Sequence, residues 1–163
     1  MTVYHGSVSV IDKPLARYSK RHMDFGVGFY VTSDKAQAEN WAKRKAIRLN
    51  GDPIVSLYSL SDDLSAYRGL IFDKEDYAWL EFIVKCRNGD EIYKNYDFIS
   101  GSVANDDVFA TVDLFMRGIW DRDRALQEIR YYQTSHQICI VSQDLIETEL
   151  NFTMSYEVKQ NGS

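Results

Sequence analysis

The chain has two cysteines and two prolines in 163 residues, and each scarcity removes a class of structure. Cys86 and Cys139 stand in apolar surroundings with no partner at metal-ligand spacing, so they read as reduced thiols in or near the core of a cytosolic protein rather than a disulfide framework. Pro14 and Pro53 do not build a proline-rich linker, and no low-complexity segment or internal repeat is present. No stretch approaches the roughly 20 apolar residues of a membrane span. The start, Met1-Thr-Val-Tyr-His5, lacks the basic and apolar regions of a secretory signal, so the chain reads as complete, cytoplasmic and without a membrane partner. Basic charge is also short: 19 Lys and Arg stand against 24 Asp and Glu, a net −5, which argues against a broad electrostatic grip on nucleic acid. The basic residues that do cluster, Arg17, Lys20, Arg21 and His22 and then Lys43, Arg44, Lys45 and Arg48, read as solvated faces. Gly26-Val-Gly28 lacks the third glycine and the long buried strand of a dinucleotide fingerprint. With no P-loop, zinc helix, nucleophile elbow or Cys-x-x-Cys pair, catalysis by a metal or a recognisable triad has no support.

What remains is a chain built to fold. At 45% hydrophobic and 13% aromatic it has the material for a globular core, and its length suits one domain, 1–158, with a frayed tail at 159–163. Strands are expected at 3–8, 29–32, 53–60, 68–72, 96–104, 137–142 and 150–158. A helix starts at Thr32 or Ser33, carries Ala36, Trp41, Ala42 and Ile47 on its apolar face, and closes at Asn50-Gly51. Further helices are expected at 75–86, with Ala78, Trp79, Phe82 and Ile83 inward, from Asp106 or Asp107 to Met116, and at 122–131, with a short helical turn after Ser142. Strands and helices mix without regular βα alternation, which predicts an α+β fold of two small, mostly antiparallel sheets around a cleft with flanking helices.

Two segments carry the chemistry. Tyr4-His5-Gly6-Ser7 ends the first strand, and Asp24-Phe-Gly-Val-Gly28-Phe29-Tyr30-Val-Thr32 leads two glycines into the second. Two strand ends thus offer one cleft an imidazole, bare backbone and a phenol ring, a set suited to a flat, polar heteroaromatic such as nicotinamide. A lone histidine is most simply a core imidazole; beside Gly6, and with Tyr30 behind its glycines, His5 reads as ligand-binding. Asn105-Asp106, opening a helix after a glycine-containing turn, has two open readings, a helix cap or a carboxylate at the cleft. Trp79, Tyr131 and Tyr132 read as core or cleft wall.

These blocks, with Gly101-Ser-Val-Ala-Asn-Asp106 and Ser135-His-Gln137-Ile-Cys-Ile140, resemble a family of uncharacterised bacterial proteins within the ADP-ribosyltransferase superfamily, of the histidine–tyrosine–glutamate type, over nearly the whole chain. The resemblance implies an ADP-ribosyltransferase-like fold with NAD as co-substrate, bound by His5, Gly6, Ser7, Gly28, Phe29, Tyr30, Thr32 and Asn105. It gives His5 a ribose hydroxyl, the Gly6 backbone the nicotinamide amide, and Tyr30 the nicotinamide ring, where stacking contributes on the order of 0.5–1.5 kcal/mol beyond burial. Catalysis then falls to His5, Tyr30, Gln137 and Asp106, with no metal. The chain departs from the family pattern at Gln137, where a glutamate is expected. An amide can hold the ribose 2′-hydroxyl and support an oxocarbenium-like transition state, but it cannot take a proton, so a base must come from elsewhere, for example Asp106 or Glu128. The implied reaction breaks the nicotinamide–ribose bond and moves ADP-ribose to an unidentified acceptor macromolecule, in the setting of a toxin with a neutralising antitoxin partner. NAD hydrolysis and a non-catalytic nucleotide- or protein-binding domain are the alternatives.

Overall fold

A computed structural model describes residues 1–19, 23–104, 106–130 and 135–159. Among these residues seven strands and five α-helices follow in the order β1 (Thr2–Ser7), β2 (Phe29–Val31), α1 (Lys35–Leu49), β3 (Ile54–Leu60), β4 (Gly69–Ile71), α2 (Tyr77–Arg87), β5 (Phe98–Ser102), α3 (Asp106–Met116), α4 (Arg122–Ile129), β6 (His136–Ile140), α5 (Gln143–Glu149) and β7 (Leu150–Glu157). They form an α+β protein with two small sheets, ordered β1-β3-β7 and β2-β6-β5-β4, in which β4 pairs with β5 in parallel and the other pairs named are antiparallel. Among the described residues, no helix is long and apolar enough to cross a membrane.

Alternation along the strands sorts side chains into three layers. Val3, Tyr58 and Leu60 from the first sheet meet Phe29, Val31, Phe98, Ile138 and Ile140 from the second, giving the core between the sheets. The opposite face of the second sheet, with Tyr30, Ile99 and Cys139, packs under Trp79, Leu80 and Ile83 of α2, Val108 and Val112 of α3, and Ala125 and Ile129 of α4. On the far side of the first sheet α1 lays Ala38 and Ala42 against Val55, with Tyr4 and Leu57 alongside. Each fully buried large aliphatic or aromatic side chain in these layers contributes about 1.5–3 kcal/mol relative to exposure.

The elements stand close to where periodicity puts them, with three corrections at the level of side chains. The N-cap of α1 is Asp34, not Thr32 or Ser33: its carboxylate accepts from Gln37 N, while the Thr32 hydroxyl is engaged elsewhere. The inward face of α1 is Gln37, Ala38, Ala42 and Ala46; Ala36 is exposed, Trp41 is half-buried and Ile47 is 84% exposed. In α2, Ala78 points outward and Leu80 takes the inward place beside Trp79, Phe82 and Ile83. The helix end at Asn50 is as expected, in the left-handed conformation at φ 52°.

Candidate functional site

His5 lies on β1 facing the core between the sheets, 3% exposed. Its ring stacks on Phe29 at 4.4 Å and meets Tyr18 edge-on at 5.0 Å. Nδ1 lies 2.6 Å from the Tyr30 carbonyl. A carbonyl only accepts, so the proton of the neutral imidazole belongs on Nδ1 and Nε2 is left as a bare acceptor. That nitrogen is buried and has no partner among the described residues. An unmatched buried acceptor costs about 1–3 kcal/mol, which marks it as a place where a donor is missing. Burial, helped by the nearby Lys45 ammonium, pushes the imidazole down to about 3 against the opposing pull of its bond to Tyr30.

Gly6 is required by α1: a Cβ there would stand 2.1 Å from the Ala38 carbonyl oxygen and 2.7 Å from Ala42 N. The Gly6 carbonyl accepts from Lys45 Nζ at 3.0 Å, and that ammonium also sits 5.2 Å from the Tyr18 ring centroid. Burial and then the Arg48 charge lower Lys45 to about 8. Ser7, buried, shares a 2.7 Å hydrogen bond with the Tyr18 hydroxyl.

The glycine loop closes on Tyr30. Gly26 has φ +81°, in the region that favours glycine, and a side chain there would meet the Tyr93 ring at 2.1 Å. Gly28 lies so close to β6 that a Cβ would be 2.3 Å from Cys139 Sγ. The Tyr30 hydroxyl donates to the Gly26 carbonyl at 2.6 Å and accepts from Phe25 N at 3.1 Å, so the phenol fastens the loop from within. Tyr30 is 7% exposed, and burial raises its pKa. Asp24 anchors the loop outward by accepting from Arg87 Nη2 at 2.5 Å and from Ala104 N at 3.1 Å.

At the other end of β2 a second polar knot forms. Thr32 Oγ1 donates to the His136 carbonyl at 2.7 Å and accepts from Asp34 N at 3.0 Å, and Gln37 Nε2 reaches the same carbonyl at 3.5 Å. The next residue, Gln137, is 4% exposed, and its side chain points to the face that carries Cys139 and Tyr30. Among the described residues, Gln137 Nε2 is a buried donor without a partner, and Gln37 Oε1 a buried acceptor without one. His136 Nε2 and Ser100 Oγ are 2.7 Å apart on the sheet's opposite face, where burial lowers the imidazole pKa. Beside them the Ser102 hydroxyl donates to Glu75.

The structure thus brings His5, Gly6, Ser7, Phe29 and Tyr30 into one neighbourhood, with Thr32 and Gln137 farther along the β2–β6 pair. The His5 ring lies between the sheets, whereas the Tyr30 ring and Gln137 side chain occupy the opposite face of the second sheet. Asn105, Lys20, Arg21, His22, Tyr131 and Tyr132 lie outside the described residues, as does the side chain of Asp106, whose backbone begins α3. Glu128 is half-buried on α4, and Trp79 is a core residue whose indole donates to the Ser102 carbonyl at 3.1 Å. Two cavities of about 330 Å³ each are lined by Tyr77, Phe115 and Asp121 to Asp123, and by Ala16, Arg17, Val27, Tyr93, Lys94 and Val141; neither is lined by His5, Tyr30 or Gln137. Tyr18 and Gln37 carry no motif that singles them out, and Lys45 is visible in sequence only as part of a charge run.

The family described as "Protein of unknown function (DUF3990)" matches residues 1–152, from the first strand through the start of the last. The chain belongs to the DUF3990 family. No curated protein and no solved structure matches it significantly. The matched span runs through the candidate positions from His5 to Gln137.

Proposed function

We propose that this DUF3990 protein is an NAD-dependent ADP-ribosyltransferase of the histidine–tyrosine type, with an ADP-ribosyltransferase-like fold. The observation that carries the reading is the bare, buried Nε2 of His5, an acceptor oriented by the Nδ1 bond to Tyr30 and lacking the donor that a ribose hydroxyl supplies. The orphaned Gln137 amide is a second unmatched buried group, a donor on the opposite face of the second sheet. His5 holds a sugar hydroxyl, the Gly6 backbone faces the carboxamide, and Tyr30, on the neighbouring β2 and immobilised by its hydroxyl, presents the carbonyl that orients the His5 ring. NAD supplies a cationic leaving group, so the protein's contribution is to orient the ribose and stabilise positive charge at its anomeric carbon. The acceptor is a macromolecular nucleophile.

The test is calorimetric titration with NAD, with nicotinamide release followed in the same samples. Wild type binds NAD and releases nicotinamide; His5→Ala loses both; Gln137→Ala keeps part of the affinity and loses turnover. A second reading, a non-catalytic nucleotide-binding domain, draws on Gln137 itself, because a buried amide cannot accept a proton. Binding without nicotinamide release in the presence of cell extract favours that reading, and no binding at millimolar NAD removes both.

A further inference from the structure

Lys45 differs from the other paired lysines of this chain. Lys35, Lys85 and Lys94 lie along exposed helical surfaces beside Glu39, Glu81 and Glu91. Lys45 is instead folded inward onto the Gly6 carbonyl and the Tyr18 ring, and no carboxylate pairs with it among the described residues. A partly buried ammonium without a counter-ion is costly, and Arg48 adds like charge beside it. The Gly6 bond takes one of its three N–H donors. Ser7 and Tyr18 compound the excess: two hydroxyls share one hydrogen bond, so whichever donates, the other still has a hydrogen to give. Next to these donors stands the bare His5 Nε2. The neighbourhood therefore asks for a ligand with a hydroxyl that donates and, close by, oxygens that accept and carry negative charge.

We infer that Lys45, with the Ser7–Tyr18 hydroxyl pair, forms a phosphate subsite beside His5, so that the ligand is recognised as a ribose bearing a phosphate or pyrophosphate rather than by its base and sugar alone. The inference rests on the proposed function and deepens it. Lys45 is the specificity residue, and Tyr18, which closes over His5, must turn outward for the ligand to enter. Attraction between an ammonium and phosphate is charge-assisted and salt-dependent, whereas the His5 hydroxyl contact is neither.

Calorimetry on the full chain tests this with NAD and with nicotinamide riboside, which carries the same base and ribose without phosphate, at low and moderate salt. The expected result is that Lys45→Met weakens NAD at least tenfold and flattens its salt dependence, Lys45→Arg restores most of both, and the riboside binds all three proteins equally. Wild-type affinity and salt slope for NAD in Lys45→Met overturns the inference, as does an equal loss of both ligands, which marks a structural role. A second measurement needs no variant: inorganic pyrophosphate must displace NAD from wild type and slow acetylation of Lys45 read by mass spectrometry, and failure of both overturns the subsite. If wild type binds neither NAD nor the riboside, the transferase reading itself falls and the subsite with it; binding of both with no effect at Lys45 removes the subsite alone.

Discussion

A neutral imidazole packed between Phe29 and Tyr18 makes His5 a stability determinant as well as a candidate ligand contact. Its folded pKa of about 3 lies below the ordinary 6.5, so between those values the unfolded chain binds the extra proton. The contribution is complete above pH 6.5 and is lost as pH falls toward 3, with a slope approaching about 1.4 kcal/mol per pH unit. Urea unfolding at pH 7.5 and pH 5 checks it: His5→Asn, which keeps a donor for the Tyr30 carbonyl, should lose less stability over that interval than wild type. Equal losses would show that the pH dependence originates elsewhere. Tyr30 gives a second prediction, because its hydroxyl satisfies both the Gly26 carbonyl and Phe25 N. Tyr30→Phe should cost about 1–3 kcal/mol, read by thermal or urea denaturation. Both positions stand out in the sequence through their short glycine-marked motifs. The sequence offers both rings to one cleft, whereas strand register sends the Tyr30 ring to the face opposite His5 and its hydroxyl onto the loop. Lys45, Gln37 and Tyr18 do not stand out: their roles depend on which way a helix or connector faces, and a charge run or an isolated polar residue does not encode that.

Among the elements, α1 shows how packing overrides apolar periodicity. The sequence pattern favours Trp41 and Ile47 as inward residues, the larger hydrophobes at helical spacing. Gly6 admits the helix so close to β1 that only Ala38 and Ala42 fit beneath it, and Ile47 is turned to solvent. Gly6→Ala should therefore destabilise by about 3 kcal/mol, since the atoms it meets are helix backbone and cannot move singly. Ile47→Lys, at the position periodicity treats as core, should stay within about 0.5 kcal/mol of wild type. Chemical denaturation of the two variants checks the contrast, and a large loss in Ile47→Lys would reverse the assignment of the helix face. The strands were more legible, because alternation and turn residues bound them locally. The parallel pairing of β4 with β5 and the 2.7 Å meeting of Ser100 with His136 arise from sheet register, between residues far apart in sequence, where no local pattern reaches.

In the whole molecule, two sheets of separate hydrogen-bond ladders behave as one unit only if something couples them. One coupling is the apolar layer in which Val3, Tyr58 and Leu60 meet Phe29, Ile138 and Ile140. The other is polar and concentrated at Thr32. Its backbone pairs with Tyr4 of β1 through bonds of 2.8 and 3.0 Å, and its hydroxyl bridges the β6 carbonyl of His136 to the amide of Asp34, the cap of α1. Thr32 thus connects first sheet, second sheet and helix start at the point where Gln137 enters the candidate site. Thr32→Val keeps the branched shape and the backbone bridge but removes the hydroxyl. Gln37 Nε2, at 3.5 Å, is left as the weak remaining side-chain donor to His136. The expected cost is about 1–3 kcal/mol, with unfolding still a single transition, coincident by far-UV circular dichroism and by the fluorescence of Trp41 on α1, Trp79 on α2 and Trp120 between α3 and α4. The apolar layer alone then suffices to keep the sheets cooperative. Separation of the two signals in the variant would show instead that the Thr32 bridge is what makes the two sheets fold as one.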